Sequence, residues 1–261
     1  MWHRWWLRRG GRPALRRGGR PRKTMVCPTK VNSVGLGGWM ERRVGSWFFA
    51  GLDLGQSHDF TAIAVVERVE MAGKFDPVAF AYEKVVERQL RHLERVPLGT
   101  PYTEIVERVA QVVGTRGVRD CCHLVVDATG VGRPVVDMLR SARLPCRLMP
   151  TLITGGEQEG SANGYHRVPK RDLITGLRLL LEQRLLKIAA GLEHGPTLAK
   201  EMADMRMKVT AAGNEQYEAW RESAHDDLVL AVALACWGLG KVYPKGGKGK
   251  AGYCTFPGVL W

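Results

Sequence analysis

The central part of the chain begins with three apolar segments that have the length of β-strands. They cover residues 47–53, 60–70 and 77–88. The first segment is rich in aromatic residues and ends before Gly55. The second follows after a tight connection, so the two are expected to pair as a hairpin.

Strands and helices then alternate along the chain. Thr100 and Pro101 occupy the expected N-cap and N1 positions of a helix. A strand at 123–127 precedes a helix that begins near Pro134, and a fifth strand is predicted at 144–150. The first of these helices has an apolar stripe at helical spacing, formed by Ile105, Val106, Val109, Val112 and Val113.

Three further helices are predicted at about 169–186, 196–207 and 225–239. The last one is apolar on all sides beyond its first turn, so it must be buried in the centre of the domain. Hairpin strands followed by strand–helix alternation predict an α/β fold, with a mixed sheet and helices on both of its faces.

Charge divides the chain into three parts. Residues 1–43 contain 12 Lys and Arg and one acid, and the tail at 241–261 contains four Lys and no acid. Residues 44–240, with 23 basic and 25 acidic residues, have a net charge of −2. We therefore predict a disordered basic arm, a folded domain at 44–240 and a Gly/Lys-rich tail. The arm is either a nucleic-acid-binding segment or a plain extension.

The cysteines and the apolar runs indicate a cytoplasmic protein without a membrane segment. The six cysteines have neither a CxxC pair nor the spacing of a disulfide framework. This favours a reducing compartment and no structural zinc. No run reaches the roughly 18 apolar residues that a membrane span needs.

Four aspartates lie where an apolar element meets a loop. Asp53 ends the first strand, Asp127 ends the fourth, and Asp226 and Asp227 open the last helix. Ligands of open α/β sheets bind at this edge. Three carboxylates within about 4 Å of one another repel by roughly 4 kcal/mol per pair at an effective dielectric constant of about 20. Such a cluster requires protons or cations to neutralise it.

Oxygen ligands without nearby Cys or several His favour Mg²⁺ or Mn²⁺ over zinc. Two such ions would activate a water molecule on one side of a phosphodiester and stabilise the leaving oxygen on the other.

Each acid also has a purely structural interpretation. Asp53 and Asp127 could make Asx-type turns. Either Asp226 or Asp227 could cap the last helix, Asp227 slightly more readily. His225 is either an orienting residue beside the acids or a plain helix-start residue.

These segments together resemble the nuclease domain of phage terminase large subunits, the DNA-packaging motors. The resemblance implies a ribonuclease H-like fold in which the first strand, the fourth strand and the last helix each supply an acidic metal ligand. Carried over, the catalytic metal ligands are Asp53, Asp127 and Asp226, with Asp227 as the close alternative. The matching segments are DLGQSHDFTAIAVVE, VVDATGVGRPVVDML, VPKRDLITGLRLLLEQRL, LAKEMADM and HDDLVLAVALA.

The resemblance implies a metal-dependent endonuclease that cuts double-stranded DNA during viral packaging, in the host cytoplasm if the gene belongs to a phage or prophage. A full terminase also has an ATPase motor, but the sequence contains no GxxxxGK[ST] loop. The expected partners are therefore a separate packaging ATPase, a small terminase subunit or a portal. Basic residues near the site by motif position are candidate phosphate contacts: Arg133, Lys170, Arg171, Arg206, Lys208 and Arg221.

Two other functional classes stay open. GLDLGQSHDF is similar to the phosphate-binding turn of the actin, heat-shock and sugar-kinase ATPases. Those proteins duplicate the fold into two lobes, for which residues 44–240 are too few. The second alternative is a DNA-binding module without catalysis, in which the acids are remnants.

Overall fold

The computed structural model describes residues 42–55, 59–119, 121–130, 132–209, 215–219 and 225–243. Nearly all of the predicted basic arm and Gly/Lys-rich tail lies outside these residues. The boundaries of the folded domain at 44–240 therefore stay predictions.

The described residues form ten strands and five helices. The strands are β1 (Arg42–Asp53), β2 (Thr61–Asp76), β3 (Ala81–Val96), β4 (Cys122–Asp127), β5 (Arg147–Thr154), β6 (Gly160–Ala162), β7 (Tyr165–Pro169), β8 (Leu186–Ile188), β9 (Met205–Val209) and β10 (Glu215–Ala219). The helices are α1 (Tyr102–Val113), α2 (Gly132–Ser141), α3 (Lys170–Glu182), α4 (Gly195–Asp204) and α5 (Asp227–Val242).

Eight of the strands make one mixed sheet in the order β6-β7-β5-β4-β1-β2-β3-β8. β1, β2 and β3 are antiparallel neighbours, as the hairpin pattern predicts. β1, β4, β5 and β7 run parallel to one another, so these four strands end at one edge of the sheet. β9 and β10 form a separate antiparallel pair.

Helices cover both faces of the sheet, which confirms the predicted architecture. α1 and α2 pack on one face, over a core that includes Leu52 and Val126. α3, α4 and α5 pack on the other face, over a core that includes Phe49 and Val125. Neighbouring residues of β1 and β4 thus point into different cores, as the alternation of side chains along a strand requires.

α5 is the central helix of the second core, in agreement with its apolar sequence. All of its residues from Leu228 to Ala235 are buried, with no more than 7% exposure. The helix lies directly against β1 at Gly51: a Cβ atom at this position would overlap the carbonyl oxygen of Ala231 and lie 2.8 Å from the Ala235 nitrogen. Only glycine permits this close approach of helix to strand.

Several predicted boundaries were wrong. The third strand spans Ala81–Val96 and not 77–88, because residues 77–80 form the turn that joins it to β2. The fifth strand is displaced from 144–150 to Arg147–Thr154. Pro101, and not Thr100, occupies the N-cap position of α1. The Thr100 hydroxyl instead donates a hydrogen bond to the Pro97 carbonyl oxygen at 2.7 Å.

The predicted helices at 169–186 and 196–207 were too long, because each is followed closely by a strand. β8 begins at Leu186 and β9 at Met205. These strands, like β6, β7 and β10, are five residues or shorter. Segments of this length have too few alternating positions for a pattern to stand out.

No helix within the described ranges is long and apolar enough to span a membrane.

We expect Gly51→Ala to destabilise the domain by about 3 kcal/mol, the upper part of the range for overpacked core sites. The added methyl group meets backbone atoms of α5, which cannot move aside as a flexible side chain could. Denaturant unfolding of both proteins measures the difference.

Gly176→Ala is the matched control. Gly176 lies within α3, and no atom lies within 4 Å of a Cβ built there. This change should leave stability unchanged or raise it by up to about 1 kcal/mol, because alanine is the better helix former. Equal effects of the two substitutions would contradict the close approach of α5 to β1.

Candidate metal centre

Asp53 and Asp127 are neighbours on adjacent parallel strands. β1 and β4 pair as far as Leu52 with Val126, and the two aspartates are the next residues of their strands. Strands in a sheet are about 4.8 Å apart. Because Leu52 and Val126 face the core beneath α1 and α2, the aspartates face the opposite side, where α5 lies.

The two aspartates belong to a row of residues that crosses the sheet. Asp127 pairs with Thr151 on β5, and Asp53 pairs with Ala62 on β2. Ala62 in turn pairs with Arg95 on β3. The row therefore places one cation, Arg95, two strands away from the acidic pair.

The packing of α5 brings the other two acids to the same place. α5 begins at Asp227, one helical turn before Ala231, which contacts β1 at Gly51. The start of the helix consequently lies over the end of β1. The negative charges of Asp127, Asp226 and Asp227 each raise the pKa of the Asp53 carboxyl.

Asp53 has the most strongly perturbed carboxyl of the group. It is 8% exposed, and no described residue donates a hydrogen bond to its side chain. Burial, followed by the charges of Asp127, Asp226 and Asp227, raises its pKa well above the ordinary value, and the Lys170 charge acts in the opposite direction. A carboxylate in this position needs a proton or a cation.

Asp127 is held in a fixed orientation by Thr129. Its Oδ1 accepts hydrogen bonds from the Thr129 backbone N–H at 2.9 Å and from the Thr129 hydroxyl at 2.6 Å. The Asx-type turn considered for this residue is therefore present, and it directs the carboxylate as well as closing the turn. Burial raises the Asp127 pKa, while the Thr129 hydrogen bonds and the Lys170 charge act to lower it.

Lys170 forms an ion pair with Asp226. Its Nζ lies 2.6 Å from Asp226 Oδ2, and the two side chains are 33% and 23% exposed. Lys170 is the first residue of α3 and directly follows β7. It thus approaches the acidic group from the parallel-strand edge of the sheet.

Arg95 engages Asp227 with two nitrogen atoms. Its Nε lies 2.8 Å from Asp227 Oδ2, and one terminal nitrogen lies 3.2 Å from Asp227 Oδ1. The same terminal nitrogen donates to Glu201 on α4. The guanidinium also lies over the Phe60 ring, 4.6 Å from its centroid. Arg95 therefore joins β3, α4 and α5 in one buried ionic group.

Burial raises the pKa of both acids that contact Arg95. The Asp227 pKa is raised by burial, and the hydrogen bond from Arg95 and its charge act to lower it. Burial and then the Asp227 charge raise the Glu201 pKa to about 7. Glu201 Oε2 also accepts a hydrogen bond from the Val229 backbone N–H at 3.3 Å, which attaches α4 to the first turn of α5.

The N-cap prediction for the Asp226/Asp227 pair holds for the position of Asp226, whereas the slight preference for Asp227 was wrong. Asp226 occupies the N-cap position of α5, but no side-chain capping hydrogen bond forms there within the described residues. Asp227 is the first helical residue, and its carboxylate bonds to Arg95 instead. His225 packs edge-on against Phe60, with ring centroids 5.1 Å apart, and its Nδ1 lies 4.0 Å from Asp227 Oδ1.

The predicted phosphate contacts lie in different places. Lys170 is within the acidic group, as described above. Arg171 is paired with Asp172 at 3.5 Å, and Arg133 lies over the Tyr165 ring at 5.8 Å. Arg221 and the side chains of Arg206 and Lys208 fall outside the described part of the chain.

The sequence patterns did not identify Arg95, Glu201 or Phe60 as members of this site. Glu201 had a usable signal, because it lies three residues after Leu198 and therefore on the apolar face of α4. Arg95 lies two residues after Leu93, in phase with a buried position. The third strand was predicted to end at residue 88, so Arg95 was expected to lie outside it.

The donor set fits a hard divalent cation. Carboxylates from β1, β4 and the start of α5 lie close enough for the charges of Asp127 and Asp226 to raise the pKa of Asp53. The Lys170 ammonium group pairs with Asp226 in the role of a cation. Across the described residues, however, no three acidic, histidine or cysteine side chains are close enough to form a ready metal-binding group. Two of the four aspartates are instead engaged by Lys170 and Arg95.

No protein-family model and no curated protein matches the chain. Among solved structures, it is similar to the large terminase nuclease from thermophilic phage G20c, with 21% identity over 75% of this chain and 83% of that chain and a TM-score of 0.50. The same nuclease with bound magnesium gives 22% identity, 76% and 84% coverage and a TM-score of 0.51.

The HK97 bacteriophage large terminase is matched at 15% identity over 76% of this chain and 40% of that chain, with a TM-score of 0.42. The likeness to the G20c nuclease confirms the ribonuclease H-like fold and the resemblance to terminase nucleases at the level of the fold.

We expect Asp53→Asn to stabilise the cation-free domain by on the order of 1 kcal/mol at pH 8, a gain common when a strained functional site is relieved. An acid whose pKa is higher in the folded than in the unfolded protein destabilises the folded state at any pH above the unfolded pKa. This loss of stability disappears as the pH falls and the acid becomes protonated. The stability difference between variant and parent should therefore grow from pH 5 to pH 8 in EDTA.

Asp137→Asn is the control for this comparison, because Asp137 is an exposed residue of α2 paired with Arg140. It should change stability little at either pH. A destabilised Asp53→Asn protein at pH 8 would show that the carboxyl is not under electrostatic strain.

We expect Arg95→Met to destabilise the domain by about 3–5 kcal/mol, because it leaves the buried Asp227 and Glu201 without their cation. Denaturant unfolding at pH 8 measures the loss. Arg140→Met, which breaks an exposed pair, should change stability by no more than about 0.5 kcal/mol. A similarly small loss for Arg95→Met would contradict the joining role of the guanidinium.

Proposed function

We propose that this protein is a divalent-metal-dependent endonuclease that hydrolyses phosphodiester bonds of double-stranded DNA. The observation that carries the proposal is that Asp53 and Asp127 end adjacent parallel strands and that the charge of Asp226, at the start of α5, reaches Asp53. The likeness in fold to a large terminase nuclease solved with bound magnesium supports the same conclusion.

We assign the metal-ligand role to Asp53, Asp127 and Asp226. Asp227 is the weaker candidate because both of its carboxylate oxygens are already bonded to Arg95. Among the described residues, the ion-pair partner of Asp226 is a partly exposed lysine, so its carboxylate is the easier one to redirect. When bound, one or two Mg²⁺ or Mn²⁺ ions would neutralise phosphodiester charge and generate the hydrolytic nucleophile from water.

The residues of the chain would position these ligands. Thr129 fixes the Asp127 carboxylate through its two hydrogen bonds. Arg95 pairs with Asp227, which offsets part of the charge that the first turn of α5 adds beside Asp53. Burial of Asp53 limits the access of water to its carboxylate, which strengthens its attraction to a cation.

DNA would approach the parallel-strand edge of the sheet. Arg133, Lys170 and Arg171 follow β4 and β7 at that edge, and we assign them phosphate contacts together with Lys208 and Arg221. Contacts to phosphates position DNA without reading its sequence, so we expect low cut-site specificity.

The biological context that we propose is viral DNA packaging in the cytoplasm of a host cell. The ATPase motor would be supplied by a separate protein or by another part of a longer chain. A small terminase subunit and a portal are the further proposed partners.

We expect the protein to nick and linearise plasmid DNA in Mn²⁺ or Mg²⁺ and to lose this activity in EDTA. Asp53→Asn, Asp127→Asn and Asp226→Asn should each reduce cleavage at least about 100-fold, the size of effect expected for a group that stabilises the transition state directly. Agarose gel electrophoresis measures the cleavage.

Asp137→Asn, which lies outside the acidic group, should cleave like the parent protein. Undiminished cleavage in EDTA would contradict the proposal. A retarded but uncut plasmid in a gel-shift assay would support the DNA-binding alternative, and tight ATP binding that survives Asp226→Asn would support the ATPase alternative.

A further inference from the structure

Lys170 is placed among acids from three elements of the fold. It contacts Asp226 directly at 2.6 Å. Its charge also reaches Asp53 and Asp127, on β1 and β4, where it partly offsets the rise in pKa that burial causes. One ammonium group therefore compensates three carboxylates that the fold brings together.

The two cations of the site are held very differently. The Arg95 guanidinium is bonded to Asp227 and Glu201 and lies over Phe60, and its side chain is 16% exposed. The Lys170 side chain is 33% exposed, and its single acidic contact within the described residues is Asp226. Arg95 is thus a fixed part of the structure, whereas Lys170 can leave without breaking a network.

The chemistry of the two groups agrees with this difference. A guanidinium forms rigid, two-pronged contacts with carboxylates, while a lysine ammonium is a compact charge on a flexible stem. A compact charge can occupy a cation position among carboxylates and can be moved away by rotation of the side chain. Lys170 lies at the start of α3, so its backbone is fixed beside the site while its side chain is long enough to rotate away from Asp226.

We propose that Lys170 is the internal counter-ion of the metal-free site, and that a divalent cation displaces its ammonium group from Asp226. This inference rests on the proposed metal-dependent function. An ammonium and a divalent cation cannot occupy the same carboxylates, because like charges at such a distance repel strongly. Binding of the metal would thus release Lys170 towards the edge of the sheet, where a phosphate of DNA would replace Asp226 as its partner.

Lys170 holds the Asp226 carboxylate in an ion pair, so a metal ion bound by Asp226 would have to replace this contact. A site that binds a metal through Asp226 is therefore complete only when the lysine leaves.

The test compares Mn²⁺ binding to the full chain and to Lys170→Met, measured by isothermal titration calorimetry without DNA. We expect the variant to bind Mn²⁺ at least about tenfold more tightly, the change that corresponds to the loss of one charge-assisted hydrogen bond. In EDTA the variant should melt at a lower temperature than the parent, because its carboxylates have lost their counter-ion.

Three further variants make the result specific. Lys170→Gln keeps a hydrogen-bond donor but not the charge, so it should also bind Mn²⁺ more tightly, and it replaces the methionine variant if that protein does not fold. Lys170→Arg restores the charge and should return the affinity towards that of the parent. Arg178→Met removes a cation elsewhere on α3, where Arg178 is paired with Glu182, and should leave the affinity unchanged.

Unchanged Mn²⁺ affinity in both Lys170→Met and Lys170→Gln would overturn the counter-ion role and leave the metal site intact. Absence of Mn²⁺ binding to the parent protein would overturn the proposed function together with this inference. A higher melting temperature of the methionine variant in EDTA would likewise overturn the counter-ion role.

Discussion

The close packing of α5 on β1 is the contact on which the rest of the structure depends. At Gly51 the strand has no side chain, so the backbone of the helix at Ala231 reaches the backbone of the strand. This contact fixes the helix in the centre of one core and sets its first turn over the end of β1. An element from the far end of the folded chain is thereby brought to the residues that follow Gly51. The core and the candidate metal centre are consequently two results of one packing interaction.

The second constraint is electrostatic. The fold brings four aspartates to one partly buried region, and burial raises the pKa of three of them, Asp53, Asp127 and Asp227. Arg95 compensates one side of the group through fixed bonds, and Lys170 compensates the other through a single ion pair. Burying several carboxylates together reduces stability, as is common at functional sites. In our proposal, Arg95 is the fixed cation of the site and Lys170 is the cation that a bound metal displaces.

The sequence was most informative where a local pattern determines the structure. The apolar runs that end at Asp53 and Asp127 predicted two strand ends at one edge of the sheet, and the apolar sequence of α5 predicted its burial. The sequence was least informative where partners are distant, since Arg95 meets Asp227 and Glu201 across 132 and 106 residues. It also could not separate Asp226 from Asp227, because their different roles follow from a helix that begins at the second residue and from an arginine supplied by β3.

The most direct test of the central claim is a crystal structure of the protein grown or soaked with Mn²⁺ and measured at a wavelength that reveals the metal by anomalous scattering. We expect an anomalous peak bounded by the carboxylates of Asp53, Asp127 and Asp226, with Asp227 still bonded to Arg95. A well-ordered site without such a peak, or a peak at a position remote from these three residues, would contradict the claim that the fold gathers them to bind a metal.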